Sequence, residues 1–276
     1  MENSRSFTAE VQHKIHRYLW HSQCLLSPNK VASFTLPDGS KFEYPLKTAI
    51  GYEFFAGGFE LPELKYIKKL LKPGDTFLDV GANAGLFTIM AAKLVGPTGH
   101  VYAFEPGLRE LELLRRNLAI NNIKNVTIVQ CAVSNECGKA EFAISKDGAM
   151  NSLAQTDHHL QKIDTWQTVE VITLDKFMEQ CDIGQVNFIK IDVEGAEKLV
   201  LDGASNFLKS KNFPPILCEF CDSTAIAFQS SGLELYDKFL SIGYKLFSVP
   251  HTEQESPQVA ERKEKFSYVN LLAQRV

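Results

Sequence analysis

The chain has 276 residues, of which 45% are apolar and 22% charged. Those proportions describe a globular chain of one large domain or two small ones and argue against bulk disorder. The net charge of −4 gives no general affinity for nucleic acid or an anionic membrane.

Residues 1–20 carry mixed charge without an apolar signal core, so secretion is not expected. No apolar run approaches the roughly 20 residues of a membrane span. Val11 to Trp20 reads as a short helix before a Ser-Pro-Asn break. Residues 33–44 alternate apolar and polar around Asp38-Gly39, which predicts a hairpin. The stretch from Gly51 to Glu60 holds three phenylalanines and three glycines. It is either a mobile flap or a loop that packs Phe54, Phe55 and Phe59 into the core. Leu61-Pro62-Glu63 opens a helix with Leu64, Ile67, Leu70 and Leu71 on one face, and Pro73-Gly74 ends it.

From Thr76 the rhythm becomes strand, helix, strand, helix. Strands are predicted at Thr76–Val80, His100–Glu105, Val126–Cys131, Val186–Ile191 and Ile216–Phe220. Helices are predicted at Leu86–Val95, Leu108–Asn121, Leu174–Cys181, Ala196–Leu208 and Leu233–Ile242. Lys139–Ile144 and Thr168–Thr173 read as antiparallel strands around a polar loop, and Tyr244–Val249 and Phe266–Ala273 as a final antiparallel pair. Alternating strands and helices imply an α/β fold, a mostly parallel sheet covered on both faces. Residues 1–72 form an N-terminal helix, hairpin and cap on a main domain at 73–276. Six unevenly spaced cysteines (Cys24, Cys131, Cys137, Cys181, Cys218, Cys221) fit reduced thiols and a cytoplasmic location.

In such sheets ligands bind beyond the carboxyl ends of the strands, near the switch in strand order. That rule directs attention to Asp79–Gly85, Glu105, Cys131, Asp192 and Glu219. The first junction reads Asp79-Val-Gly-Ala-Asn-Ala-Gly85. Gly81 and Gly85 permit a tight strand-to-helix turn, with Asn83 between them, and close approach of a ligand. Asp79 would repel a pyrophosphate but suits an ammonium or sulfonium group. Glu105, followed by Pro106, lies about 20 residues beyond the turn, where a carboxylate accepts from both ribose hydroxyls. Together they fit S-adenosylmethionine. The rival, an NAD-binding turn, wants G-x-G-x-x-G, and Asn83 occupies its middle glycine place.

Asp79–Gly85, Ala103-Phe-Glu-Pro106, Arg116-Asn-Leu118 and Ile189-Lys-Ile-Asp-Val-Glu-Gly-Ala-Glu197 resemble the FkbM-type methyltransferases, which use S-adenosylmethionine. The resemblance runs from about Val31 to Phe220 and takes in Lys72-Pro-Gly-Asp75, Leu201-Asp-Gly-Ala204 and Cys218-Glu-Phe220. It implies a class I methyltransferase (Rossmann-like) fold with a seven-stranded sheet. The implied activity is O-methylation of a hydroxyl on a sugar or natural-product-like small molecule. Cys131-Ala132 would bring the adenine edge to the backbone. Asn151 and Ser152 match a string that lines the family's substrate cleft, and Glu60 an acidic position it carries.

Given that fold, Asp192 and Glu194 face the methyl end of the cofactor. Asp192 is the first candidate for general base toward an alcohol; alternatively both acids cap the helix that follows. Glu197 either caps the helix or holds a substrate hydroxyl. Asp192, Glu219 and Asp222 carry oxygen ligands that suit Mg²⁺, but no metal is expected. Cys218-x-x-Cys221 lacks the partners of a zinc site and reads as buried packing. His158-His159 reads as exposed loop. The expected partner is a small-molecule, glycan or lipid acceptor, not nucleic acid. The rival from another class is a non-catalytic cofactor-binding module or partner subunit on the same fold.

Overall fold

The alternation around Asp38-Gly39 folds as a hairpin of β1 (Val31–Thr35) and β2 (Lys41–Pro45). Asp38 Oδ1 accepts the Ser40 N–H at 2.9 Å, and Gly39 takes the positive φ of +82° that the turn needs. The computed structural model describes residues 7–26, 30–36, 38–56, 59–146, 150–153, 163–209, 213–250 and 255–275, without the side chains of 7–16. His158-His159 lies outside the described residues.

The remaining strands are β3 (Thr76–Val80), β4 (His100–Phe104), β5 (Val126–Val129), β6 (Ala132–Val133), β7 (Gly138–Ser145), β8 (Ile163–Ile172), β9 (Phe188–Ile191), β10 (Ile216–Phe220), β11 (Lys245–Ser248) and β12 (Val269–Gln274). The helices are α1 (Phe7–Leu26), α2 (Ala49–Ala56), α3 (Leu61–Leu70), α4 (Leu86–Val95), α5 (Leu108–Ile120), α6 (Leu174–Cys181), α7 (Glu197–Asp202), α8 (Asp222–Ala225) and α9 (Gly232–Ser241).

The main sheet has seven strands in the order β11-β12-β10-β9-β3-β4-β5. β3, β4, β5, β9 and β10 run parallel, and β12 pairs antiparallel with both β10 and β11. The chain winds outward from β3 through β4 to β5, then returns to lay β9 on the other side of β3. The ends of β3 and β9 therefore flank the crevice where a doubly wound sheet binds its ligand.

Strand residues alternate between two cores. Phe77, Phe188, Leu217 and Leu272 face α3, α4, α5 and the hairpin. Leu78, Val80, Ile189, Ile191, Cys218 and Phe220 face α6, α7 and α9. Cys218 is fully buried there. A second sheet, β6-β8-β7, stands beside the end of β5.

Several boundaries differ from expectation; β8 starts at Ile163 instead of Thr168, and β12 at Val269 instead of Phe266. The helix predicted at Ala196–Leu208 stops at Asp202; Gly203, which follows, packs against the Ser134 carbonyl so closely that a Cβ would lie 2.1 Å from it. A single 3₁₀ turn, Phe207–Lys209, follows. The strand predicted at Val126–Cys131 breaks after Val129 and resumes as β6 in the second sheet. α1 extends beyond Val11 to Trp20 at both ends. Ala49–Ala56, within the aromatic stretch, is helical, and Thr48 Oγ1 accepts the Gly51 N–H at 2.9 Å at its start.

Candidate functional site

Gly81 has φ +84°, and a Cβ there would lie 1.8 Å from the Asp192 carbonyl oxygen. Only glycine lets the turn after β3 lie directly against the loop after β9. Gly85 has φ +91°, and its Cβ would lie 2.4 Å from Leu114 Cδ1 on α5. Between them Asn83 takes a left-handed φ of +49° and accepts the Ala84 N–H on Oδ1 at 2.7 Å. Asn117, fully buried on α5, donates to the Ala84 carbonyl at 2.9 Å and exchanges two hydrogen bonds with the backbone of Glu43 in the hairpin. One side chain thus ties hairpin, glycine turn and helix together.

The turn opens on a cavity of about 410 Å³. Its walls bring together Gly81, Asn83, Glu105, Pro106, Cys131, Ala132, Asn151, Asp192, Glu194, Glu219 and Glu60. Phe42, Tyr44, Phe54 and Phe59 give it an apolar side from the N-terminal segment.

Glu105 is 4% exposed. Its Oε2 accepts the Asn83 N–H at 2.8 Å and its Oε1 the Gly107 N–H at 2.7 Å. Each oxygen keeps a lone pair for a hydroxyl donor. Burial, joined by the nearby Glu110, pushes its carboxyl up to about 8.

Asp79 lies behind the turn and is not part of the cavity wall; it is fully buried. Its Oδ2 accepts from Thr88 Oγ1 at 2.5 Å, and its Oδ1 has no hydrogen-bond partner. Burial pushes its carboxyl up. Ser152 is also behind the wall, 1% exposed, with Oγ donating to the Glu194 carbonyl at 3.0 Å. Asn151 faces the cavity, and its Oδ1 accepts the Ser145 N–H at 2.8 Å.

At the β9 end, Asp192 Oδ2 lies 3.0 Å from Lys190 Nζ. The α7 N-cap is Ala196, and neither Asp192 nor Glu194 caps that helix with its side chain. Glu197 holds the loop instead: its Oε1 accepts the Val193 and Gly195 N–H groups at 2.9 and 3.2 Å. Burial pushes Glu197 up to about 7, Glu60 up to about 8, and Glu194 and Glu219 well above the usual carboxylate range. Carboxylate oxygens of Asp192, Glu197 and Glu219 lie within 4.8 Å of one another. Asp222 is turned elsewhere, accepting the Gly232 and Phe266 N–H groups at 2.6 and 2.8 Å.

Sequence reasoning gave no role to Lys190, Thr88, Tyr44 or Tyr268. Lys190 is only 6% exposed, and the signal lay in its position two residues before Asp192 in an otherwise apolar strand. Burial opposes its charge, but Asp192, Asp79 and Glu60 outweigh that and hold the ammonium above the usual lysine range. Tyr44 and Tyr268 reach the cavity from segments far away in sequence.

The glycine cradle and the unpartnered, buried Asp79 oxygen beneath it fit a cationic ligand, and Glu105 fits a ribose. The sequence model of the Methyltransferase FkbM domain matches residues 79–246. Methyltransferase 1 of Beauveria bassiana is 30% identical over 172 residues, covering 55% of this chain and 67% of that protein. The 31-O-demethyl-FK506 methyltransferase FkbM of Streptomyces tacrolimicus is 30% identical over 49% of this chain and 62% of its own. The hexuronic acid methyltransferase AglP of Haloferax volcanii is 29% identical over 50% of this chain and 54% of its own. The chain thus spans about two thirds or less of these relatives. With a domain match across the sheet and the crevice at its switch point, the chain belongs to the FkbM methyltransferase family, whose methyl donor is S-adenosylmethionine.

Proposed function

We propose that the chain methylates a hydroxyl on a sugar or natural-product-like small molecule, with Asp192 taking the hydroxyl proton. One observation carries this reading: Asp192 shares a cavity with the glycine turn and Glu105, and its carbonyl touches Gly81. The donor supplies an electrophilic methyl group on a sulfonium. Gly81, Asn83 and Gly85 hold its methionine part, with Asp79 adding negative potential from behind. Glu105 holds the ribose, while Pro106, Cys131 and Ala132 lie along the adenine. Methyl transfer needs the acceptor oxygen about 3 Å from the methyl carbon and in line with the departing sulfur. Glu194 lies beside the base; Glu60, Asn151 and Glu219 belong to the acceptor side, and Ser152 supports it from behind by holding the Glu194 carbonyl. FK506 and a hexuronic acid, named for two of the relatives, support the small-molecule and sugar classes.

Residues 1–72 act as a cap on the catalytic domain at 73–276 in this reading. A glycan, lipid or free small molecule is the partner, not nucleic acid. Among the described residues no helix is long and apolar enough to cross a membrane. Six unpaired cysteines support a reducing, cytoplasmic setting.

The test is labelled-methyl transfer to a panel of glycosides and macrocyclic alcohols, with titration of S-adenosylmethionine, S-adenosylhomocysteine and NAD alongside. Asp192→Asn should lower kcat by about 10²- to 10⁴-fold and leave cofactor affinity within about threefold. Full turnover in that variant removes Asp192 as base. Binding of NAD alone removes the whole reading.

A further inference from the structure

Glu105, at the end of β4, has a second carboxylate beside it. Glu110, in the first turn of α5, is 1% exposed. A Cβ on Gly107 would lie 2.5 Å from Glu110 Oε2 and 3.0 Å from Glu105 Oε1. The two oxygens therefore border one small space that only a glycine leaves open. Glu110 is pinned in place. Its Oε1 accepts from Arg109 Nε at 2.8 Å and lies 2.7 Å from Arg109 Nη2, which also donates to the Ser145 carbonyl on β7 at 2.9 Å. Gln167 on β8 fastens the same corner, donating to the Pro106 carbonyl at 2.8 Å. Glu110 Oε2 is left buried, with no hydrogen-bond partner among the described residues.

An unpartnered buried carboxylate oxygen is costly, and two neighbouring carboxylates resist ionising together. One proton between Glu105 Oε1 and Glu110 Oε2 answers both. Glu105 Oε1 already accepts the Gly107 N–H, so the proton occupies the lone pair that a ribose hydroxyl needs. The surroundings agree with this. Burial and then Glu110 oppose the charge of Glu105, while the N–H groups of Gly107 and Asn83 and, from β9, Lys190 favour it. The outcome is a carboxyl pushed up to about 8.

We propose that Glu110 is a positioning residue of the ribose site: pinned by Arg109, it places a proton between itself and Glu105, and the ribose hydroxyls displace that proton to solvent when the cofactor binds. The proposal rests on the reading that Glu105 holds the ribose. It adds a residue that has no other part in the site, and it ties cofactor affinity to pH through this pair.

Calorimetric titration of the full chain with S-adenosylhomocysteine from pH 6 to 8.5, in two buffers of different ionisation heat, reads affinity and proton release together. The affinity should rise with pH, by up to about tenfold per pH unit while the pair still holds its proton. Glu110→Gln keeps the shape and removes the competing charge, so the rise should move down by about one pH unit. Arg109→Met leaves Glu110 without its cation, and the rise should move up. A purely structural part for either residue, such as steadying the start of α5, would weaken binding alike at every pH without moving the rise. A wild-type affinity that is flat across the range, or a rise that neither variant moves, overturns the proposal. Glu105→Gln tests the underlying reading separately. An affinity unchanged by that substitution at every pH removes Glu105 from the ribose, and the proposal falls with it.

Discussion

Lys190 Nζ lies 3.0 Å from Asp192 Oδ2 and 3.2 Å from the Gly81 carbonyl, and packs 5.0 Å above the Phe87 ring. The two residues sit two apart on β9 and its exit, so their side chains leave the strand on the same side. The register places Lys190 directly opposite Asp79 on β3. One buried ammonium therefore joins the base proposed for catalysis to the turn proposed for the cofactor. It is also the counter-charge for acids that arrive from four different elements.

Lys190→Met should destabilise the protein by about 3–5 kcal/mol, because it leaves buried carboxylates without their cation. The lysine is held charged in the folded state above its ordinary range. As far as its own titration goes, its stabilising contribution is therefore present below about pH 10 and is lost as pH rises through the higher folded value. Urea unfolding at pH 7 measures the loss. The deficit should shrink toward pH 5, where Glu60, pushed up to about 8, carries its proton. A deficit that is the same at pH 5 and pH 8 would show that the charge of Lys190 is not what matters.

Glu60 and Glu105 are pushed up to about 8 and Glu197 to about 7, in each case chiefly by burial. Between an ordinary carboxyl value near 4.3 and those raised ones, the folded state binds more protons than the unfolded state. Stability of the ligand-free protein therefore falls as pH rises from about 5 to about 8, by up to about 1.4 kcal/mol per pH unit for each group, and levels off above. Denaturant midpoints at pH 5.5, 7 and 8.5 test the slope. Glu105→Gln and Glu60→Gln should each flatten it, and a rising slope over this range would contradict the assignment.

The pattern that was legible in the sequence is the part set by local periodicity. β3, α4, β4 and α9 fall within a residue or two of expectation, because apolar spacing and Gly-Pro punctuation fix them. α2 was not legible, since most of it falls in a stretch dominated by Gly and Phe and its capping Thr48 lies just before that stretch. The close packing of Gly203 on Ser134 just past the early end of α7 was equally hidden, because the two approach only in three dimensions. At the site, the strand-end rule found the acids at β4, β9 and β10. It could not tell that Asp79 and Ser152 stand behind the wall or that Tyr44 and Tyr268 complete it. Those facts depend on packing between segments that periodicity along the chain does not connect.

S-adenosylmethionine carries a sulfonium charge that S-adenosylhomocysteine lacks. Bringing that charge beside Glu60 and Glu105 favours their ionised forms. At pH 7.5, below the raised values of both acids, binding of the sulfonium should expel protons. The neutral thioether should expel fewer. Calorimetric titrations in phosphate and in Tris separate the proton release from the binding heat. Equal release for the two compounds would place the acids out of range of the sulfonium, and Glu105→Gln should reduce the release for both.

Among the described residues Thr88 is the one side chain that donates to Asp79, from Oγ1 to Oδ2 at 2.5 Å, and both residues are fully buried. Thr88→Val keeps the shape and removes the donor, leaving a carboxylate with neither oxygen served by a side chain. Leaving a buried acceptor unsatisfied costs about 1–3 kcal/mol, and more when it is charged. Burial already holds the Asp79 carboxyl above its usual value, and loss of the donor raises it further. The cost should therefore be larger at pH 8 than at pH 5, because a smaller fraction of the Asp79 carboxyl is charged at the lower pH. Thr88→Ser retains the hydroxyl and should recover most of the stability. Urea unfolding of the three proteins at both pH values measures this directly, and an equal loss for Thr88→Ser and Thr88→Val would assign the effect to packing of the methyl group instead of the hydrogen bond.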